Sequence, residues 1–208
     1  MRVKIGAPHF VDFGRNMEYS PDGKAYLVGH GTNRREGFAN WIGGDEVYLL
    51  RVTPSIQTID DATAYEFFAG YDATSQAIWT RDFAAIKPLL SWNGQLGCVT
   101  MTYNAPLRKF LLCVSRPTDG FTSTGTFDTM IFESDAMTGP WSLLQYMKAF
   151  GAQAYFVNIP SKFISADGRT AWLCYSANFS QHLDIRQEST PPGSHYGLCL
   201  HEFYLSAS

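Results

Sequence analysis

Three times the chain writes a tight polar turn followed by an apolar run: Ser20 to Gly29, Asn104 to Val114 and Ser165 to Tyr175. Asp22-Gly23 and Asp167-Gly168 are strong hairpin signals, because glycine accepts positive φ freely and aspartate tolerates it by bonding its own backbone. The middle copy uses Pro106, whose ring fixes φ for a turn. A phrase repeated at spacings of tens of residues sets the architecture, since each copy marks one supersecondary unit.

Reading outward from these turns gives the strands. The first unit places strands over 7–14, 25–30, 46–53 and 65–70. The second places them over 96–103, 108–115, 128–134 and 141–144, with Gly139-Pro140 separating the last two. The third has strands over 155–164, 170–176 and 196–205 and lacks a fourth. A connecting passage over 78–90 is expected as a short helix or an extended crossover. Pro8 and Pro160 are expected at the starts of first strands, where a residue without an N–H is tolerated. The second strands Phe110-Leu-Leu-Cys-Val and Ala171-Trp-Leu-Cys-Tyr are apolar almost continuously, the mark of burial on both faces. Successive four-stranded meanders buried by their neighbours predict an all-β fold, a β-propeller with blades at about 7–75, 92–147 and 153–206, the last incomplete. A β-sandwich would also use short strands and frequent turns, but it does not predict a repeat every four strands. Three blades are fewer than propellers use, so residues 1–208 are expected to form one partial domain, the C-terminal part of a five-bladed ring.

Composition narrows the partners. Of the 208 residues, 45% are hydrophobic and 17% charged, which suits a folded globular chain. A formal net charge of −3, with Arg34-Arg35 as the one dense cationic spot, argues against nucleic acid. No apolar run approaches the roughly 18–20 residues that would span a bilayer, so no membrane partner is expected. The start of the chain lacks the apolar region of a secretory signal, and extracellular placement would require a signal upstream.

The four cysteines, Cys98, Cys113, Cys174 and Cys199, show no CxxC spacing, so neither zinc nor redox chemistry is expected. A four-residue turn over 104–107 would set Cys98 opposite Cys113, expected as buried thiols, with a disulfide as the alternative.

Several segments resemble one family of microbial propeller proteins. They are Ala7-Pro-His-Phe-Val-Asp-Phe-Gly, Asp45 to Pro54, Ala64-Tyr-Glu-Phe-Phe-Ala-Gly with Trp79-Thr-Arg-Asp82, and Tyr103-Asn-Ala-Pro-Leu-Arg-Lys-Phe-Leu. That five-bladed family was long labelled a domain of unknown function, and some members are placed among the endo-D-arabinanases. The resemblance implies a carbohydrate-active chain, a furanosidase-like glycoside hydrolase or a fragment of one, with a polysaccharide or oligosaccharide partner. The alternative is a non-catalytic glycan-binding or structural module. Family members carry an acidic cluster in earlier blades, so catalytic carboxylates could lie upstream. Ala7 and His9 depart from the family pattern where the first strand meets the channel.

Within this chain, the long loops joining second to third strands share one face, and long polar loops on a rigid scaffold are where binding residues collect. The minimal DG turns occupy the opposite face. Hydrolysis needs two carboxylates, and Glu36 and Asp119 are the available pair on corresponding loops of adjacent blades. The structural alternative is that both are solvated charges pairing with Arg34 and Arg116. Asp45 and Asp128 read as turn or capping residues. Candidate substrate contacts are His9, Asn33, Arg34, Trp41, Arg116 and Asn158. Trp41 could stack on a sugar or anchor its own loop, and His9 could serve as acid, base or structural residue. No cofactor is implied, and His30, His182, His195 and His201 show no spacing that predicts a metal site. If the propeller is incomplete, copies could associate to close it.

Overall fold

The computed structural model describes residues 4–32, 42–118, 126–179 and 196–206. These form an all-β, antiparallel and open structure with twelve strands. In chain order they are β1 (Lys4–Phe10), β2 (Ala25–Thr32), β3 (Gly43–Val52), β4 (Glu66–Tyr71), β5 (Ala77–Thr80) and β6 (Leu90–Asn104). They continue with β7 (Lys109–Pro117), β8 (Phe127–Ser134), β9 (Ser142–Met147), β10 (Tyr155–Asn158), β11 (Thr170–Asn178) and β12 (Tyr196–Tyr204). One helical turn, Ile56–Ile59, is capped by the Ser55 hydroxyl. Among the described residues no helix is long and apolar enough to cross a membrane.

Strands β1, β2, β3 and β4 pair in sequence, as do β6, β7, β8 and β9, and β10, β11 and β12 make a separate three-stranded sheet. The crossover between the first two groups is β6. Its first half pairs with β3, as at Val47–Leu90 and Gly43–Gly97, and its second half pairs with β7. The passage over 78–90 is thus extended rather than helical, apart from a short turn at Phe83–Ala85. Its first residues form β5, a hairpin partner of β4.

The repeated turns form as their residues dictate. Asp22 accepts the Lys24 N–H at 3.1 Å and Asp167 accepts the Arg169 N–H at 3.0 Å. Gly23 and Gly168 take φ values of 71° and 76°. In the middle copy Arg108 takes the left-handed position at φ 54°, while Asn104 Oδ1 accepts the Leu107 N–H at 3.3 Å. The turn therefore closes on Asn104–Lys109, which moves the expected register by two residues. Cys98 lies opposite Ser115 and Cys113 opposite Thr100, so the two thiols are diagonal neighbours rather than a facing pair. All four cysteines are free.

Two proline positions also differ from expectation. Pro8 sits inside β1, in a register shift between Gly6 and His9. Pro160 follows β10 and starts the short turn Ser161–Phe163. Proline has no N–H to lose at either place.

Packing explains why β7 and β8 are apolar on both faces. Phe110, Leu112, Val114, Met130 and Phe132 bury against Val28, Val47, Leu49 and Met101 on one side. Leu111, Cys113 and Ile131 bury against Val157, Ile159, Ala171, Leu173 and Tyr175 on the other. Each such side chain contributes about 1.5–3 kcal/mol when fully buried. The back of the first sheet, Ala25, Leu27, Leu50 and Val52, is covered by Ile59, Ala64 and Tyr65 from the segment after β3.

The first strands of the three groups meet at the centre. Asp12 N–H donates to Met101 O at 2.9 Å and Tyr103 N–H donates to Asp12 O at 2.9 Å, a parallel bridge between the end of the first strand segment and β6. Thr100 Oγ1 donates to Val157 O at 2.7 Å, which joins β6 to β10.

Candidate functional site

Two strand irregularities build a feature that the sequence did not announce. In β1, Ala7 has φ 41° and the register slips between Gly6 and His9. In β10, Phe156 has φ 51° and the register slips between Tyr155 and Asn158. Bulges of this kind re-aim side chains, and here they bring the His9 and Phe156 rings to 4.5 Å with a 39° tilt. His9 Nδ1 lies 2.7 Å from the Ala7 carbonyl. A carbonyl only accepts, so Nδ1 carries the proton and, in the neutral ring, Nε2 is an acceptor.

The row continues outward. Phe156 meets Tyr155 at 6.0 Å, and Tyr155 meets Tyr196 at 6.2 Å and Phe127 at 5.9 Å. Ile42, Cys98 and Phe127 are buried beneath it. His9, Tyr155 and Phe156 are half-buried, and Tyr196 is 52% exposed. Polar groups border the rings. Thr102 Oγ1 donates to Asn158 Oδ1 at 3.5 Å, and Asn178 Nδ2 donates to the Tyr196 hydroxyl at 3.3 Å. Burial, then the hydrogen bond with Tyr196, raises the Tyr155 phenol above its ordinary pKa, so it remains protonated at neutral pH. Tyr155 pairs with Ser176 near the end of β11, and Tyr196, the first residue of β12, pairs with Asn178.

Of the residues singled out from sequence, His9 packs its ring against Phe156, and Asn158, two residues further along β10, accepts from Thr102 Oγ1 on β6. Arg116 is committed elsewhere. Its Nη2 is 3.1 Å from Asp128 Oδ2, and Nη1 donates to Pro117 O at 3.2 Å. Asp128 also accepts from Thr118 Oγ1 at 2.7 Å, Tyr146 Oη at 2.7 Å and Ala149 N–H at 2.9 Å. Burial alone would raise its pKa, but these four donors together outweigh that and hold it below the usual carboxylate value. Asp45 accepts the Gly94 N–H at 2.7 Å. The expectation for both was a turn or capping role; instead Asp45 bonds the backbone of β6 across strands, and Asp128 is an ion-paired anchor for three neighbouring segments. Asn33, Arg34, Glu36, Trp41 and Asp119 lie outside the described residues, as do His182 and His195.

A cleft of about 690 Å³ lies at the opposite end, among Asp12, Tyr19, Tyr103, Pro106, Ser161 and Lys162. Of its two carboxylates, Glu18 accepts the Arg15 N–H at 3.1 Å, and Asp12 already accepts from Gly14 N–H, Ser161 N–H and Ser161 Oγ. The volume comes from three turns meeting, and Asp12 is fully occupied in joining them. Among the described residues no cluster of His, Cys, Asp or Glu could hold a metal ion. Tyr155 and Phe156 were missed from sequence because a bulge in a first strand has no signature there beyond the neighbouring prolines, and Tyr196 because it opens a regular strand.

The described residues form an open all-β structure of consecutive antiparallel meanders. No protein-family model and no curated protein matches the chain. Among solved structures it is similar to a protein named as an exo-beta-1,3-galactanase from Bifidobacterium bifidum s17, with a TM-score of 0.46 and 12% identity over 84% of this chain and 45% of that one. It is also similar to an exo-beta-1,3-galactanase from Clostridium thermocellum, with a TM-score of 0.37 and 12% identity over 96% of this chain and 46% of that one. The chain spans about half the length of each (45% and 46%).

Proposed function

We propose that this chain is the glycan-holding part of a β-propeller glycoside hydrolase acting on furanoside-rich polysaccharide, with residues 1–208 forming a partial propeller. The observation that carries the reading is the half-exposed row His9, Phe156, Tyr155 and Tyr196, bordered by Asn158 and Asn178 amides. Ring faces beside hydrogen-bonding amides suit a ligand with apolar C–H faces and a hydroxyl rim, which is a sugar. Three meanders whose first strands converge support the propeller. In this reading the row binds, Arg34 and Asn33 add contacts, and Glu36 and Asp119 supply the acid and the nucleophile or base.

One observation favours a second reading, a binding module without catalysis. Asp45 and Asp128, the described aspartates near the long-loop end, are bound by backbone and side-chain donors and have no role to spare. Reducing-end release from a panel of arabinans and related glycans separates the two. The first reading expects release that Glu36→Gln or Asp119→Asn abolishes while binding persists. Binding without release in any variant assigns the second, and no glycan binding overturns both.

A further inference from the structure

Three turns, one from each group of strands, enclose the cleft of about 690 Å³ at the tight-turn end, a size typical of small-ligand pockets. One carboxylate sets its geometry. Asp12 accepts the N–H of Gly14, which precedes Arg15, and both hydrogens of Ser161, which precedes Lys162. The anchor thus delivers two cationic residues to the same cleft. Asp12 is spent on those three donors, and Glu18 accepts the Arg15 N–H at 3.1 Å. The cations are not spent in this way. Among the described residues neither the Arg15 nor the Lys162 side chain forms an ion pair or a hydrogen bond, and the Lys162 ammonium lies over the Phe163 ring at 4.7 Å.

One wall of the cleft is aromatic and held in place. Tyr19 is 48% exposed, with its ring 6.1 Å from that of Tyr103. A Cβ on Gly14, where φ is 82°, would come within 2.8 Å of the Tyr19 ring, so that ring rests on backbone that glycine leaves bare. The Tyr19 N–H donates to Phe13 O at 3.0 Å, which fixes its backbone as well. A ring face beside unspent cationic donors suits a ligand that has a ring of its own and a carboxylate, because the rings stack and a planar guanidinium matches a carboxylate in a two-bond fork. The two carboxylates and two cations of the cleft cancel in formal charge, so recognition is by contact rather than by long-range attraction. We propose that this cleft is a second binding site, taking a ring that carries a carboxylate, with the ring on Tyr19 and Tyr103 and the carboxylate on Arg15 and Lys162. Uronic acid sugars and aromatic acids share that chemistry. The site is separate from the His9 row, and neutral glycans lack the group it recognises.

Calorimetric titration with trigalacturonate and with 4-hydroxybenzoate, each as the free acid and as its methyl ester, tests the site. Tighter binding of the first acid assigns the sugar source and tighter binding of the second the aromatic one, and either supports the proposal. The bound acid is expected to lose about tenfold in affinity on esterification, a comparison that needs no variant, because charge-assisted hydrogen bonds are roughly twice as strong as neutral ones. Arg15, Tyr19 and Lys162 are exposed, so Arg15→Gln, Lys162→Gln and Tyr19→Ala are expected to fold, which circular dichroism checks. Each is expected to weaken the acid about tenfold, and His9→Ala to leave it unchanged. No binding of either acid overturns the inference, as do esters that bind as tightly as the acids. Binding that survives Arg15→Gln and Lys162→Gln combined also overturns it, and so does loss of the acid in His9→Ala, which would move the ligand to the row.

Discussion

The carboxylate of Asp12 accepts both hydrogens that Ser161 offers, the backbone N–H at 2.8 Å and the hydroxyl at 2.7 Å. The same residue's backbone bridges Met101 and Tyr103 on β6, so one short residue ties three meanders together. Hydrogen bonds to a charged group contribute about 1.5–3 kcal/mol when partly buried. Asp12→Ala is expected to cost about 2–3 kcal/mol in urea unfolding, and Ser161→Ala about 1 kcal/mol. Because they share a bond, the double variant should fall short of the sum by about 1 kcal/mol. Strict additivity would show that the pair is not coupled.

Asp128 gives a pH dependence whose sign follows from its lowered pKa. A carboxylate depressed in the folded state stabilises fully above its unfolded value, about 3.9, and that contribution is lost as pH falls through the lower folded value. The side chain is 1% exposed, so the contribution is little screened by solvent. Asp128→Ala leaves the half-buried Arg116 without its carboxylate and removes the acceptor of three other donors, a change expected to cost about 3 kcal/mol. Thermal melts from pH 7 to pH 2 should show the wild-type advantage over Asp128→Ala shrinking below about pH 4. An advantage independent of pH would contradict the ion pair.

The two DG turns are chemically alike and packed differently. A Cβ on Gly23 would meet nothing within 4 Å, whereas one on Gly168 would lie 2.7 Å from Asn104 Oδ1 and from Leu107 Cγ. Gly168 O also accepts from Asn104 Nδ2 at 2.8 Å, so this turn is docked on the previous one. Gly23→Ala should cost only the left-handed backbone, about 1 kcal/mol. Gly168→Ala should cost at least about 2–3 kcal/mol, because the clash adds to that strain. Chemical denaturation of both variants checks the difference, and equal losses would contradict the docking.

Burial pushes the Cys98 and Cys113 thiols up to about 12, while Cys174 is raised less and lies half-buried. A thiol reagent at pH 8 should leave Cys98 and Cys113 unmodified in the folded protein, since the thiolate is the reactive form. In denaturant all four should react. Fewer than four would mean a bridge that the structure does not contain.

Strand order was legible because turn chemistry is local. Asp-Gly and Asn-Ala-Pro mark chain reversals whatever surrounds them, and continuous apolar runs announce burial on two faces. Registers were less legible. The Asn104 turn closes two residues away from the expected register, with Arg108 rather than a glycine in the left-handed position. His9 was singled out as a lone histidine on an aromatic strand and Asn158 by its place at the long-loop face, and the structure sets the His9 ring 4.5 Å from Phe156. Tyr155 and Phe156 were read only as part of a strand over 155–164, and the register shifts in β1 and β10 that set Phe156 against His9 have no local signature.

Calorimetric titration with arabinan- and galactan-derived oligosaccharides, run on wild type, His9→Ala and Tyr19→Ala, tests the central claim most directly. Tyr19 borders the cleft at the tight-turn end, 6.1 Å from Tyr103, and His9 stands in the aromatic row. The account predicts that His9→Ala weakens binding about tenfold, near 1.4 kcal/mol, while Tyr19→Ala leaves it unchanged. Loss of binding in Tyr19→Ala with His9→Ala unaffected would place the ligand at the other end of the molecule and contradict it.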